Sequence, residues 1–174
     1  YIPGGTVNDV ASSLGLSRDP IIAAQDIVHG KPFAIDIGAF GENRWFDYVA
    51  AFGLFTNVPY QTPQVDKRIW GRMAYFFNGV QALGEVHPVH ARVSWDGKTV
   101  EADIIDGLVC STTSVGGFKA TRAVGEFGIS MNDGLYEVVL IRDIKNLADF
   151  SAVAAKLLWM DFSDENYFIT AQTS

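Results

Sequence analysis

The period of apolar and polar positions changes several times along the chain, and each change marks an element. Pro3-Gly4-Gly5-Thr6 reads as a turn, after which Asn8 or Asp9 is placed to cap a short helix reaching Leu14. Asp19 suits an N-cap and Pro20 a first helical position, so a second helix starts there. Ile21, Ala24 and Val28 space one face of it, and Gly30 ends it. Beyond Gly30 the period shortens: Phe33, Ile35 and Ile37 alternate with Ala34 and Asp36, as in a strand. An aromatic-rich second strand falls within Arg44 to Phe52. Asp66 to Leu83 predicts a long helix. Ile69, Met73, Phe76, Val80 and Leu83 form a stripe that Trp70, Ala74 and Phe77 widen, with Lys67, Arg68 and Arg72 off it.

The second half is rich in strands. Val89, Ala91, Val93 and Trp95 alternate with His90, Arg92 and Ser94, then Asp96-Gly97 supplies the preferred type I′ pair, and Val100, Ala102 and Ile104 mark the return strand. Leu108 to Ser111 reads as another strand, and Leu135 to Ile141 as one that follows the Asp133-Gly134 turn. Asn146 caps a helix running to about Trp159, and Tyr167 to Thr170 is a final strand. The expected fold is α+β: a mainly antiparallel β-sandwich domain over residues 31–174 with a few helices. Residues 1–30 are expected to be the end of a preceding α/β region.

Composition narrows the class. With 48% apolar and 19% charged residues the chain is expected to fold, and its 174 residues suffice for one domain with a core. A net charge of −7 argues against a nucleic-acid partner but leaves room for a local basic patch. Cys110 is the only cysteine, so no intramolecular disulfide forms, which fits a reducing compartment. Between Val109 and Ser111 it reads as a core thiol rather than a nucleophile. Cys110, His29, His87 and His90 lack zinc-ligand spacing. The apolar runs, such as Val49 to Phe55, are too short to span a bilayer, so lipid would be met from the water side. Tyr1-Ile2-Pro3 resembles the end of a buried strand, and the chain is expected to be a fragment.

The sequence holds no G-x-S-x-G elbow, no H-E-x-x-H, no Walker A loop and no G-x-G-x-x-G. Three glycine-bearing stretches remain. Pro3-Gly4-Gly5-Thr6-Val7-Asn8-Asp9 combines close backbone approach with helix-start amides, a phosphate-favouring arrangement, but by itself reads first as a turn with a cap. Asn132-Asp133-Gly134-Leu135 offers oxygen ligands to a hard cation, or simply turns the chain. Ser114-Val115-Gly116-Gly117-Phe118 carries the same two readings.

In order along the chain, these stretches resemble the bacterial diacylglycerol kinase and YegS-type lipid kinase family. Gly5-Thr6-Val7-Asn8-Asp9 with Ala11 is similar to its G-T-x-N-D-x-A element, and Ile35-Asp36-Ile37-Gly38 to its x-D-h-G strand. Phe52-Gly53-Leu54, Thr62-Pro63, Lys67-Arg68, Gly71 and Ala74-Tyr75 follow, and Ser114 to Phe118 and Asn132 to Leu135 close the series. The resemblance implies the C-terminal part of an NAD kinase/diacylglycerol kinase-like fold, and transfer of the γ-phosphate of ATP to a lipid hydroxyl with Mg2+, most simply diacylglycerol to phosphatidic acid. It implies that Thr6 contacts the nucleotide and that Asn8 and Asp9 lie at the cleft. Asp9 would sit in a water and magnesium network that Asp36 supports. Asp133 would bind a separate structural magnesium with the carbonyls of Ser130 and Leu135. It further implies a cytoplasmic protein meeting its lipid substrate at the inner membrane face by peripheral contact, with a homodimer as a compatible assembly.

The sequence departs from that family in several places. The G-G-D-G-T nucleotide loop, expected before Tyr1, and the D-G-E segment carrying the general base, expected beyond Ser174, are not in it. The chain alone is therefore expected to be inactive. Ser12 stands where many members have Arg, Asn78 where some have Lys, and the stretch from Lys119 to Asn132 lacks the common A-P pair. These departures motivate an alternative, a non-catalytic lipid-binding or regulatory domain derived from a kinase; an NAD kinase-like activity is a second alternative. Tyr75-Phe76-Phe77 reads as core before lipid contact, and Lys67, Arg68 and Arg72 as a solvated face before a phosphate contact.

Overall fold

The structure, a computed structural model, describes residues 1–5, 7–53, 87–115, 118–119 and 129–174. In chain order its elements are α1 (Asp9–Ser13), α2 (Pro20–His29), β1 (Gly38–Ala39), β2 (Trp45–Phe46), β3 (Val49–Gly53), β4 (Val89–Trp95), β5 (Lys98–Cys110), β6 (Ser114–Val115), β7 (Phe118–Lys119), β8 (Tyr136–Arg142), α3 (Leu147–Leu158) and β9 (Phe168–Thr173). A five-stranded sheet runs β3-β5-β8-β9 with β4 also paired to β5, while β1-β2 and β6-β7 form two-stranded ribbons. Every pairing is antiparallel, so the chain is α+β with a mainly antiparallel sheet.

Strand β5 organises the sheet. Its first half alternates: Ala102 and Ile104 are buried, whereas Thr99, Glu101 and Asp103 face water opposite Ser94, Arg92 and His90. Three exposed cross-strand pairs decorate that face: Ser94 Oγ–Thr99 Oγ1 at 2.9 Å, Arg92 Nε–Glu101 Oε1 at 2.5 Å and His90 Nδ1–Asp103 Oδ1 at 2.8 Å. Such pairs fix register while contributing only tenths of a kcal/mol, roughly 0.2–1 each. The turn between β4 and β5 has φ 43° at Asp96 and 75° at Gly97, the two positive values a type I′ turn demands.

Past Ile104 the alternation stops. Ile104 faces Arg142 and Asp106 faces Ile141, so Ile105 is an extra residue, a β-bulge. Ile105 packs with Val139, Ile141, Phe150, Val153 and Phe168 in a core under α3. Ile104 joins Ala102, Val138, Leu140 and Ile169 in a second core. Opposite the bulge stands Gly53, at φ 104°, where a Cβ would lie 2.4 Å from the Ile105 carbonyl oxygen. Only glycine fits that position. Helix α3 starts as its sequence demands, with the Asn146 side chain accepting from the Asp149 N–H, and its i, i+3, i+7 residues Phe150, Val153 and Leu157 meet the sheet.

Several expected elements differ. Phe33 to Ile37 alternates but joins no ladder; its Asp36 N–H donates to the Met131 carbonyl at 2.7 Å, and the first strand is Gly38–Ala39. The strand expected in Arg44 to Phe52 is two, β2 and β3, separated at Asp47-Tyr48. Leu108 to Ser111 is no separate strand, because β5 carries through its bulge to Cys110. Helix α2 is capped by Asp19 as expected but buries Ala23, leaving the Ile21 and Val28 stripe 70% and 73% exposed. The helix expected over Asp66 to Leu83, with Tyr75-Phe76-Phe77 and Asn78, lies outside the described residues. Among the described residues no helix is long and apolar enough to cross a membrane.

Candidate functional site

Two corners carry the polar residues singled out by the sequence. The first is the turn into α1. Asn8 adopts left-handed backbone, φ 57° and ψ 49°, which asparagine tolerates better than most residues. Its amide closes onto Gly5 from both sides: the Gly5 N–H donates to Asn8 Oδ1 at 2.9 Å, and Asn8 Nδ2 donates to the Gly5 carbonyl at 2.6 Å. Asn8 thus occupies the N-cap position without capping α1; it locks the glycine turn instead.

That lock delivers Asp9 to the first helical position, where it is buried. The Ser114 hydroxyl donates to Asp9 Oδ1 at 2.6 Å, across 105 residues of sequence. A hydroxyl donating to a carboxylate at this distance is a strong, charge-assisted bond. Ser114 is itself braced. Its N–H donates to Thr112 Oγ1 at 3.3 Å, and that hydroxyl donates back to the Ser114 carbonyl at 3.2 Å. Thr112 Oγ1 also hydrogen-bonds Ser13 Oγ, to which Thr113 Oγ1 donates at 3.3 Å. Both ends of α1 are therefore stitched to residues 112–114.

The second corner is the loop before β8. Asp36 grips it twice. Its N–H donates to the Met131 carbonyl, and its Oδ2 accepts from the Gly134 N–H at 2.8 Å. Gly134 lies at φ 74°, a turn conformation that glycine allows. Asp133 Oδ1 accepts from the Leu135 N–H at 3.0 Å, and Ser130 Oγ donates to Asn132 Oδ1 at 2.7 Å. Tyr136 follows, its ring edge-on to Phe46 at 5.4 Å. Burial and the Asp36 charge push the Tyr136 hydroxyl above its ordinary pKa.

Glu137, next in β8, is 1% exposed. Gln172 Nε2 donates to its Oε1 at 3.1 Å, while its buried Oε2 has no partner among the described residues. Burial pushes its carboxyl upward in pKa. The Gln172 bond and a backbone bond act against that, and the Asp133 charge adds to it. Opposite in the ladder lies Cys110, whose thiol burial drives to about 11, with opposing help from the Thr112 backbone and a further rise from Glu137.

A cleft of about 330 Å³ lies between the end of α1 and the loop before β8, bounded by Ser13, Leu14 and Leu16, by Phe33 and Thr113, and by Ser130 and Met131; Asp9, Asp36 and Asp133 are not in its lining. Of the residues predicted from sequence, Asn8 and Asp9 sit together in the first corner; Asp36, Asp133 and Leu135 meet in the second; Ser130 lies on the cleft wall. Thr6, Gly116 and Gly117 lie outside the described residues. Sequence reasoning missed Ser13, Thr112 and Thr113, and gave Tyr136 and Glu137 no role. The one visible signal was the hydroxyl run Ser111-Thr112-Thr113-Ser114. Asp9, Asp36 and Asp133 offer carboxylate oxygens, and the other polar groups named in the two corners are hydroxyls, the Asn8 and Asn132 amides and backbone groups, a set suited to hard cations and phosphate rather than zinc. Among the described residues no three His, Cys, Asp or Glu cluster as a metal site. A cation beside Asp133 would therefore rely on backbone carbonyls.

Comparison with known proteins gives a consistent outcome. No protein-family model matches the chain. It is 32% identical over 169 residues to a diacylglycerol kinase of Bacillus subtilis (strain 168), covering 97% of this chain and 54% of that protein. It is 31% identical over 152 residues to a diacylglycerol kinase of Staphylococcus aureus (strain JH9), covering 87% and 46%. A crystal structure of a diacylglycerol kinase from Bacillus anthracis str. Sterne superimposes with a TM-score of 0.64 at 18% identity, covering 99% of this chain and 52% of the other. A further crystal structure from that organism gives a TM-score of 0.70 at 20% identity, covering 99% and 54%. The chain spans about half the length of the curated relatives it matches.

Proposed function

From the premise that this chain belongs to the diacylglycerol kinase family, we propose that its parent protein is an ATP- and Mg2+-dependent lipid kinase phosphorylating the hydroxyl of diacylglycerol to give phosphatidic acid. The observation that carries this reading is the buried Asp9 at the start of α1, held by Ser114 beside a glycine turn that Asn8 locks. Phosphoryl transfer asks a protein mainly for positioning and charge neutralisation, and a fixed carboxylate next to helix-start amides is equipped for both.

In this reading Thr6 and Asn8 belong to the nucleotide side of the cleft. Asp9 and Asp36 belong to the water and magnesium network, and Asp133 with the Ser130 and Leu135 carbonyls holds a structural magnesium. The oxygen-only donor set fits that ion. When bound, the catalytic magnesium would neutralise charge on the transferring phosphate. This chain's residues fix the carboxylates, order the glycine turn and wall the cleft. The chain alone is proposed to be inactive, because the G-G-D-G-T and D-G-E segments are not in its sequence.

The test offers the full-length parent a panel of acceptors with Mg2+ and ATP: diacylglycerol, a sphingoid base, phosphatidylglycerol and NAD. Mass spectrometry of the products decides. Phosphatidic acid is the expected product, and phosphorylated NAD or no phosphorylated lipid would overturn the reading.

A further inference from the structure

Asp9 is the first residue of a helix of only five residues, and a helix that short does little to hold its own end in place. Among the described residues, Asp9 is held by Ser114, 105 residues away, and by the loop behind it. Ser114 is 2% exposed and Asp9 8%, so the bond between them is shielded from competing water. The bracing is layered: Thr112 fixes Ser114 from both its N–H and its carbonyl, and Thr112 and Thr113 engage Ser13 at the far end of α1. Anchors at both ends of a five-residue helix oppose its rotation, and so constrain the direction in which Asp9 presents its carboxylate.

A pair of apolar residues would hold α1 against this loop at least as well, since burying a carboxylate carries a desolvation cost that its hydrogen bonds only offset. Retaining an acid and a hydroxyl here is understandable if the acid has a task that depends on its orientation. We infer that Ser114 is a positioning residue for Asp9: its hydroxyl sets the carboxylate geometry used in phosphate transfer. This rests on the kinase reading above and names a residue that acts through Asp9 without touching substrate. The short loop Thr112-Thr113-Ser114 is then the second half of the active-site turn.

The experiment uses the full-length parent with three substitutions. Ser114→Thr keeps the hydroxyl and adds a methyl; Ser114→Cys replaces it with a larger thiol that is only a weak donor; Ser114→Ala removes the donor with little change in volume. For each, kcat and KM for ATP and for lipid are measured beside the melting temperature. The inference expects Ser114→Cys and Ser114→Ala to lose roughly 10- to 100-fold in kcat with KM for lipid changed less than about threefold, the scale of a misplaced catalytic group. Ser114→Thr should recover most of that loss. Where Ser114→Ala fails to fold, the contrast between the Thr and Cys variants still decides. Equal kcat in wild type, Thr and Cys variants would overturn the inference while leaving the kinase reading intact. No lipid phosphorylation by the folded wild type would instead overturn the kinase reading, and the inference with it.

Discussion

The Asp36 carboxylate accepts the Gly134 N–H at 2.8 Å across 98 residues of sequence, and so ties the segment leading into β1 to the loop that leads into β8. With the Asp36 N–H to Met131 bond, it is the clasp that closes one wall of the cleft. Asp36→Ala is expected to cost about 1 kcal/mol of stability, the net worth of a partly exposed hydrogen bond, and Asp36→Asn less, since an amide oxygen still accepts. Urea denaturation of the three proteins checks this. Amide exchange at Gly134 should accelerate in Asp36→Ala before any amide of β8.

Gly53 confronts the β5 bulge. Its φ of 104° and the Ile105 carbonyl, 2.4 Å from where a Cβ would sit, allow no side chain without moving the strand. Gly53→Ala is therefore expected to destabilise by about 2–4 kcal/mol, combining backbone strain with a steric clash. Chemical denaturation gives the value; a loss under about 0.5 kcal/mol, the range of an ordinary surface change, would contradict the account of the bulge.

Glu137 makes a prediction with a definite sign. Burial raises its folded pKa above the unfolded value, so the native state holds the proton more tightly. The contribution is fully present below the unfolded pKa, near pH 4.3, and is lost as pH rises from there through the raised folded value. Glu137→Gln keeps the shape and removes the charge. Measured from pH 4 to pH 8, the wild type should lose stability relative to Glu137→Gln as pH rises; a relative gain would contradict the burial.

Cys110 is expected to be inert in the folded protein. With its pKa near 11, only about one thiol in a thousand is ionised at pH 8, and the side chain is buried. Ellman's reagent should label it only after denaturation, at a rate set by unfolding. Rapid labelling of the native protein would mean the end of β5 is open.

The β4–β5 hairpin and α3 were legible because each carries its own punctuation. Asp96-Gly97 supplies the two positive φ values, and Asn146 caps a helix whose Phe150, Val153 and Leu157 repeat at helical spacing. Ile105 was not legible, because one extra apolar residue in an apolar run disturbs no visible period. Phe33 to Ile37 misled for the opposite reason: it alternates, yet its one described ladder-like bond goes to Met131, a partner local pattern cannot reveal. The ordered glycine motifs carried the family resemblance, and they singled out Asp9 as a candidate. Ser114 stayed hidden as Asp9's anchor because hydroxyls have no periodicity and the two lie 105 residues apart.

The central claim is that Asp9 sits at the working centre of a lipid kinase. The most direct measurement is transfer of labelled γ-phosphate from ATP to diacylglycerol in mixed micelles, by the full-length parent and by its Asp9→Asn variant. The account predicts Mg2+-dependent labelling of phosphatidic acid by the wild type and a fall of about 10²–10³-fold in the variant, the usual scale for removing one electrostatic element of a preorganised site. A folded wild type that labels no lipid, or an Asp9→Asn variant that labels it as fast as the wild type, would contradict it.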